Sequence, residues 1–553
     1  MKKALILIVA IGVVLRIWGI GFGLPYQFHQ DEPIVVNHAF AYGTGDLNPH
    51  FFAIPPLTSY ILFFVYMLYF ILGKVFGLFG NPGLFALAFF KDPSVFYLLG
   101  RIFIGLIPGT LCVIFTWALY KKIFSSESGA LFAAAVMSFS FLNVVNSHYI
   151  YADMLMLMFV ILSMISIFNM HRLPSMKNYV IAAITMGCAI ATKYNAALII
   201  IPFFIAHLLI CKSRPIDKNL IIGAILMVTA FFMLNPFALI DFGFFINSIL
   251  KQGGAEAFTG WTHHIRYSLY ESIGPIILIL GFLGMIVITA KDVGKWAILF
   301  SFPMLFYLHI LFFGQQYSRY VLPLTPFLAL GSGFMLFEFI LPGIGNRSIK
   351  RFCSIAFFLI FIPLIVKDGR ADLLLASKDT RVEAAEWINK NVTVNNRIAV
   401  DHSFFRPSIY QNKEQLMQKI PANDSLKAKK IELMIKALEG KKSYYLYFLE
   451  RDPGQEGRFM SMMPVLPLDM DILKKNDIGY VAINYANRQQ DTEGFYTDLK
   501  DKAVLVASFS PYRDKNVRMP YDRTETTGLP VLSKELYSRI RPGPAIEIYE
   551  LKR

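Results

Sequence analysis

The sequence HQDEP, His29 to Pro33, places two adjacent carboxylates, Asp31 and Glu32, just after a long apolar run. Neighbours at i and i+1 on a helix point in different directions, so one carboxylate can face a substrate while the other anchors the loop. An aspartate set against an acceptor hydroxyl serves as a general base. The plainer alternative is a solvated helix N-terminus, where Asp and Glu suit the cap and the dipole. A second acidic residue, Asp153, closes NSHYIYAD at 146–153. An ionisable group at membrane depth usually faces a polar cavity or a partner, although Asp is also a good N-cap. His148, in the same stretch, is either a polar contact of that site or an interfacial histidine with no function.

Three cations lie at comparable positions. Lys193 sits in ATKYNA, Arg319 in QQYSRYVLPLTP, and Arg101 at the start of another apolar run. Each can bind a phosphate headgroup, Arg through its bidentate fork. The alternative is snorkelling toward lipid headgroups. Arg16, inside the first apolar run, pairs within the bundle or snorkels. His263 and His264 are adjacent, a spacing that chelates a single metal poorly.

The elements that must position these residues are apolar runs near 4–24, 97–120, 128–147, 153–170, 178–194, 196–211, 219–240, 274–290, 296–313, 321–341 and 352–366. About 20 apolar residues in helix cross a bilayer core. A twelfth run, 55–80, opens with Pro55-Pro56 and carries Gly73, Gly77 and Gly80. Charge decides its role. With the N-terminus inside and 55–80 not crossing, the inner segments hold fourteen Lys and Arg: Lys2-Lys3, Lys121-Lys122, Arg172 to Lys177, Lys212 to Lys218, Lys291 to Lys295, and Arg347 to Arg351. The outer loops hold Asp31, Glu32, Asp46, Asp92, Asp241, Glu256 and Glu271. A crossing at 55–80 would invert that bias. The sequence therefore predicts about eleven transmembrane helices plus an interfacial helix, with the site residues on the outer side.

Composition agrees with a polytopic membrane protein. Of 553 residues, 55% are hydrophobic and only 16% charged, and mean hydropathy is +0.50. Soluble proteins carry about 25% charged residues. A single soluble domain, a fibre and a disordered chain are excluded. The net charge of +15 is read as inner-loop Lys and Arg, not as nucleic-acid binding. Cys112, Cys188, Cys211 and Cys353 lie in or beside apolar segments with no metal spacing. The N-terminal run lacks a clear cleavage site and contains Arg16, so it reads as a retained span.

After residue 366 the chain becomes charged and turn-rich. Residues 379–391, DTRVEAAEWINKN, read as a capped helix with Val382, Ala385, Trp387 and Ile388 near one face. Short β-type runs follow at 397–401, 444–449, 480–485, 504–509 and 545–551. The expected organisation is a membrane domain, 1–366, and an extracytoplasmic α/β domain, 367–553. Asn391-Val392-Thr393 fits a glycosylation sequon, a triplet that also arises by chance.

Walker, GxGxxG, GxSxG and HExxH patterns are absent, which argues against an ATP-driven pump and a cytosolic nucleotide-sugar domain. The chain resembles the GT-C fold integral-membrane glycosyltransferases, in the branch with protein O-mannosyltransferases and the lipid A aminoarabinose transferase. The matching pieces are LRIWGIGFGLPYQFHQDEPIVVNHAFAYGTGD (15–46), PPLTSYIL (55–62), GRIFIGLIPGTLCVIFTWALYKKIF (100–124), SHYIYADMLMLMF (147–159), ATKYNAALIIIP (191–202) and RYVLPLTPFLALGSG (319–333). They keep the family's order across roughly the first 340 residues.

The resemblance implies a polyprenyl-phosphate sugar as donor, work at the outer face of the plasma membrane, and a lipid, glycan or protein acceptor. It implies Asp31 as catalytic base with Glu32 beside it, Asp153 as a second acidic site, and Lys193 and Arg319 on the donor phosphate. A divalent cation is an alternative holder of the phosphate charge. Two departures matter. Aminoarabinose transferases carry Glu-Lys before the proline near the interfacial helix, whereas this chain has Ala53-Ile54-Pro55. The WWDYG-type motif of oligosaccharyltransferases is absent. The rival function is a lipid-linked sugar flippase or other transporter, which expects midplane polar breaks in repeated halves. The charges here cluster at one face and no repeat is visible, which favours an enzyme. An adhesive or sensory module on an anchor would not need eleven spans.

Overall fold

The computed structural model describes residues 2–211, 216–251, 260–312, 316–401, 405–450, 463–484, 494–514 and 529–552. Glu256, part of the inner segment 212–218 and Tyr485 of the third predicted strand lie outside them.

Each apolar run is helical over most of its described length. Among the described residues, six helical stretches are long and apolar enough to cross a membrane: Leu57–Val75, Ser94–Ile123, Ala152–Arg172, His264–Lys291, Ser318–Gly343 and Arg347–Asn391. Shorter apolar helices such as Glu127–Phe139, Met176–Thr192 and Tyr194–Ile210 accompany them. Leu57–Val75, expected to lie at the interface, thus meets the same length criterion as the others. Helix Glu127–Phe139 is the centre of the bundle, buried from Gly129 through Phe139. Its Ala130, Ala133, Ala134 and Ala135 are small enough for neighbouring backbones to approach.

Several apolar runs are broken, 219–240 at Asn235 and 178–194 at Lys193 among them. The first helix ends at Ile17, not near 24, because Gly19 at φ +82° and Gly23 at φ +71° turn the chain. The run at 128–147 splits at Ser140, whose ψ of 122° is non-helical and whose hydroxyl meets Ser272 Oγ at 2.8 Å. The last apolar run continues past residue 366 in helix Ile362–Leu375, which carries Lys367, Asp368 and Asp372 into buried positions.

Among the described residues, the C-terminal region holds a mixed seven-stranded sheet with β1 (Arg397–Val400), β2 (Tyr410–Gln411), β3 (Ser443–Glu450), β4 (Val465–Pro467), β5 (Tyr480–Asn484), β6 (Ala503–Phe509) and β7 (Ile546–Leu551). Its order is β2-β3-β1-β5-β7-β6, with β4 on β3. Strand β1 pairs in parallel with β3 and β5, with Ile398 opposite Leu446 and Tyr480. Strand β7 is antiparallel to β5 and β6. Alternation separates the faces: Ile398, Val400, Leu446 and Ile548 pack under Ala384, Ala385 and Ile388 of helix Thr380–Asn391. Ala399, Val481, Ile483 and Tyr549 pack on the other face with Leu473 and Leu499.

Candidate functional site

The loop after the first helix delivers Asp31 to the N-cap of helix Glu32–Ala41. The two carboxylates then diverge. Glu32 is fully enclosed and meets Arg101 in a bidentate pair, Oε1 to Nε at 2.9 Å and Oε2 to Nη2 at 2.8 Å. Glu32 Oε1 also accepts the Ile150 N–H at 3.1 Å. Arg101 Nη1 donates to the carbonyls of Ile20 and Phe22, and its guanidinium lies 3.8 Å over the Phe22 ring. This pair therefore ties together the segments at 20–22, 32, 101 and 150.

Asp31 faces the other way. Its Oδ2 is 3.1 Å from Arg319 Nη2. Arg319 Nε is 3.7 Å from Asp153 Oδ2, and Asp153 Oδ1 accepts from Lys193 Nζ at 2.6 Å. Two carboxylates and two cations thus meet from four distant parts of the chain. Arg319 and Asp153 are 6% and 3% exposed, whereas Asp31 and Lys193 are 19% and 18% exposed. An incoming ligand would therefore meet the last two first.

Helix ends set these charges. Asp153 lies in the first turn of helix Ala152–Arg172, and Lys193 is the C-cap of helix Met176–Thr192, so each complements the local dipole. Arg319 is the second residue of the tight turn that opens Ser318–Gly343. Burial lifts the Asp31 carboxyl above its usual pKa; Arg319 and Lys193 oppose that, and Asp153 adds to it. Tyrosines surround the cations. Arg319 lies 4.3 Å from the Tyr317 ring centroid and 5.1 Å from that of Tyr151. Lys193 lies 5.6 Å from Tyr151 and 5.5 Å from Tyr320.

Of the seven residues selected from sequence, the structure brings Asp31, Asp153, Lys193 and Arg319 into one cluster. Glu32 and Arg101 form the enclosed pair behind it. His148 is also apart: its ring nitrogens meet the carbonyls of Val144 and Trp18, and Nε2 is 3.6 Å from Asp372. Arg16 pairs inside the bundle, with Ser147 Oγ and the carbonyls of Gly12, Ser138 and Met137. Among the described residues no group of three or more His, Cys, Asp or Glu side chains could hold a metal ion. The space between Asp31 and Asp153 holds the Arg319 guanidinium. Sequence reasoning missed Tyr151, Tyr317 and Tyr320, although YIYAD and YSRY place aromatic residues around the selected charges.

Among the described residues, an apolar helical bundle with a charged cluster at its helix ends lies beside a mixed α/β region. The chain is similar in structure to ArnT from Cupriavidus metallidurans in the apo state, with a TM-score of 0.51, 14% identity, and coverage of 92% of this chain and 96% of that one. It is also similar to the oligosaccharyltransferase AglB from Archaeoglobus fulgidus, in complex with an inhibitory peptide and a dolichol-phosphate. There the TM-score is 0.50, with 11% identity and coverage of 100% and 88%. Residues 95–239 match the family described as dolichyl-phosphate-mannose-protein mannosyltransferase. No curated protein matches the sequence significantly. These likenesses show that the chain has the GT-C membrane fold, and that its residues 95–239 resemble the protein mannosyltransferases.

Proposed function

We propose that the chain transfers a monosaccharide from a polyprenyl-phosphate donor to a hydroxyl of a lipid, glycan or protein acceptor, with inversion, at the outer face of the plasma membrane. The observation that carries this reading is the sharing of Arg319 between Asp31 and Asp153, with Lys193 on the far oxygen of Asp153. Asp31 is the general base. The acceptor oxygen attacks the anomeric carbon, its proton passes to Asp31, and the bond from that carbon to the phosphate oxygen breaks. Arg319 and Lys193 hold the charge of the departing polyprenyl phosphate. Donor phosphate competes with Asp31 for Arg319, so donor binding frees the base. Asp153 keeps the two cations together, while Glu32 and Arg101 fix the loop.

We assign part of the donor's tail to an apolar surface. An apolar groove of about 180 Å³ runs between the helices at 264–291 and 293–310, lined by Ile265, Met285, Met304, Leu324 and Phe327. Leu324 and Phe327 lie on the element that begins beside Arg319. In this reading the N-terminus is cytoplasmic, and residues 367–553 form an extracytoplasmic domain that orients the acceptor.

The test uses purified protein in nanodiscs with radiolabelled polyprenyl-phosphate monosaccharides and envelope extract as acceptor pool. Label is expected in a new product and absent with Asp31→Ala, a loss of about 10²–10⁴-fold for a general base. Label that instead crosses the bilayer of sealed vesicles, with no product, would establish a transporter.

A further inference from the structure

His29 lies two residues before Asp31 and is 2% exposed. Its Nδ1 accepts the backbone N–H of Asp31 at 3.1 Å and that of Glu32 at 3.3 Å. Tyr149 covers the ring, with centroids 4.5 Å apart. The two amides belong to the residues whose side chains diverge, Asp31 into the charged cluster and Glu32 onto Arg101. Holding both N–H groups fixes the backbone at the point of divergence.

We propose that His29 is a positioning residue for the transfer: its Nδ1 holds the Asp31 and Glu32 amides, and so aims the Asp31 carboxylate at the acceptor hydroxyl. This rests on Asp31 being the base. An imidazole nitrogen accepts only when it carries no proton, so the ring must be neutral with its hydrogen on Nε2. Its surroundings keep it so. Burial and the nearby charges of Arg319 and Arg101 hold its pKa well below the usual 6.5. The two carboxylates that follow it in sequence are already engaged, Asp31 by Arg319 and Glu32 by Arg101. An ordinary side-chain cap would serve helix stability alone, whereas this one sets a reacting group.

Two substitutions separate the roles. His29→Phe keeps a ring against Tyr149 but offers no acceptor; His29→Asn offers a non-titrating oxygen of the kind that caps helices. With polyprenyl-phosphate mannose as donor in nanodiscs, His29→Phe is expected to lower kcat by on the order of 10²-fold, as a misplaced catalytic group does. Its KM for donor should stay within about threefold, because the phosphate cations are untouched. His29→Asn is expected to restore most of kcat. A substrate-free readout is labelling of protonated Asp31 by a hydrophobic carbodiimide across pH, followed by mass spectrometry. Its midpoint should move in His29→Phe and return in His29→Asn. Wild-type kcat and midpoint in His29→Phe, or no rescue by Asn, overturns the proposal. Normal turnover in Asp31→Asn would instead overturn the base assignment, so the two failures are distinct.

Discussion

The charged cluster balances four groups, and its balance predicts pH behaviour. With Asp31 as the proposed general base, which must be ionised, kcat/KM should fall as pH drops through the Asp31 pKa, which burial lifts above 3.8. Asp153 raises that pKa and Arg319 lowers it. Asp153→Asn should therefore move the acid limb to lower pH, and Arg319→Gln should move it to higher pH. Both variants will turn over more slowly, but the limbs shift with opposite sign. Profiles of kcat/KM over about pH 4 to 8, which report groups in the free enzyme, check this. Behind the cluster, Arg101→Met leaves the enclosed Glu32 carboxylate without its partner. Breaking a buried pair costs about 3–5 kcal/mol, so thermal unfolding should occur at markedly lower temperature. The sequence made the divergence of Asp31 and Glu32 legible, because adjacent residues at a helix start cannot share a direction. It did not reveal that Glu32 would close on Arg101 while Asp31 met Arg319, since that choice depends on helix packing across the bundle.

Helix packing works through close approaches at defined positions. Gly105 presses the helix Ser94–Ile123 against the turn at 147–151: a Cβ there would stand 2.4 Å from the Ser147 carbonyl oxygen and 2.9 Å from that of Tyr149. Those atoms are backbone, so they move only if the turn moves. The turn carries Ile150, which donates to Glu32, and leads into Tyr151 and Asp153. Gly105→Ala should therefore lower turnover strongly, with an overpacking cost of about 1–3 kcal/mol in stability. An assay beside thermal unfolding measures both; unchanged turnover would show that the turn does not set the cluster. At this scale the sequence was most readable where periodicity is plain. The apolar runs became helices, and the five predicted strands reappear as β1, β3, β5, β6 and β7. Strands β2 and β4, of two and three residues, are too short for alternation to register. The break at Ser140 arises within an apolar run, where hydropathy alone gives no boundary.

Across the whole molecule, the C-terminal region is gripped by the membrane bundle at several points. Lys367 Nζ donates to Glu271 Oε2 at 2.6 Å and to the Val531 carbonyl at 2.9 Å, while Ser533 Oγ donates to the same Glu271 oxygen at 2.6 Å. Lys441 Nζ donates to the Lys91 carbonyl at 2.8 Å. The contact closest to the chemistry is Arg381, held by Asp379 through Nε at 2.8 Å and Nη2 at 2.7 Å. Its guanidinium lies 3.6 Å over the Phe28 ring. Phe28 immediately precedes His29, so the C-terminal region bears on the loop that carries the proposed base. Composition marked this region as a change of character after residue 366, yet could not show which loop it would touch, because pairings between segments some 350 residues apart leave no local pattern. If the contact is only an attachment, Arg381→Ala should lower stability and leave kcat alone. If it braces the loop, kcat should fall with donor KM little changed, since Arg319 and Lys193 lie elsewhere. We expect bracing, because an enclosed guanidinium stacked on an aromatic face is worth about 2 kcal/mol when desolvated, enough to bias the loop by more than tenfold. Steady-state kinetics of Arg381→Ala beside its thermal unfolding decides between the two, and a wild-type kcat would reduce the C-terminal region to a passenger at this loop.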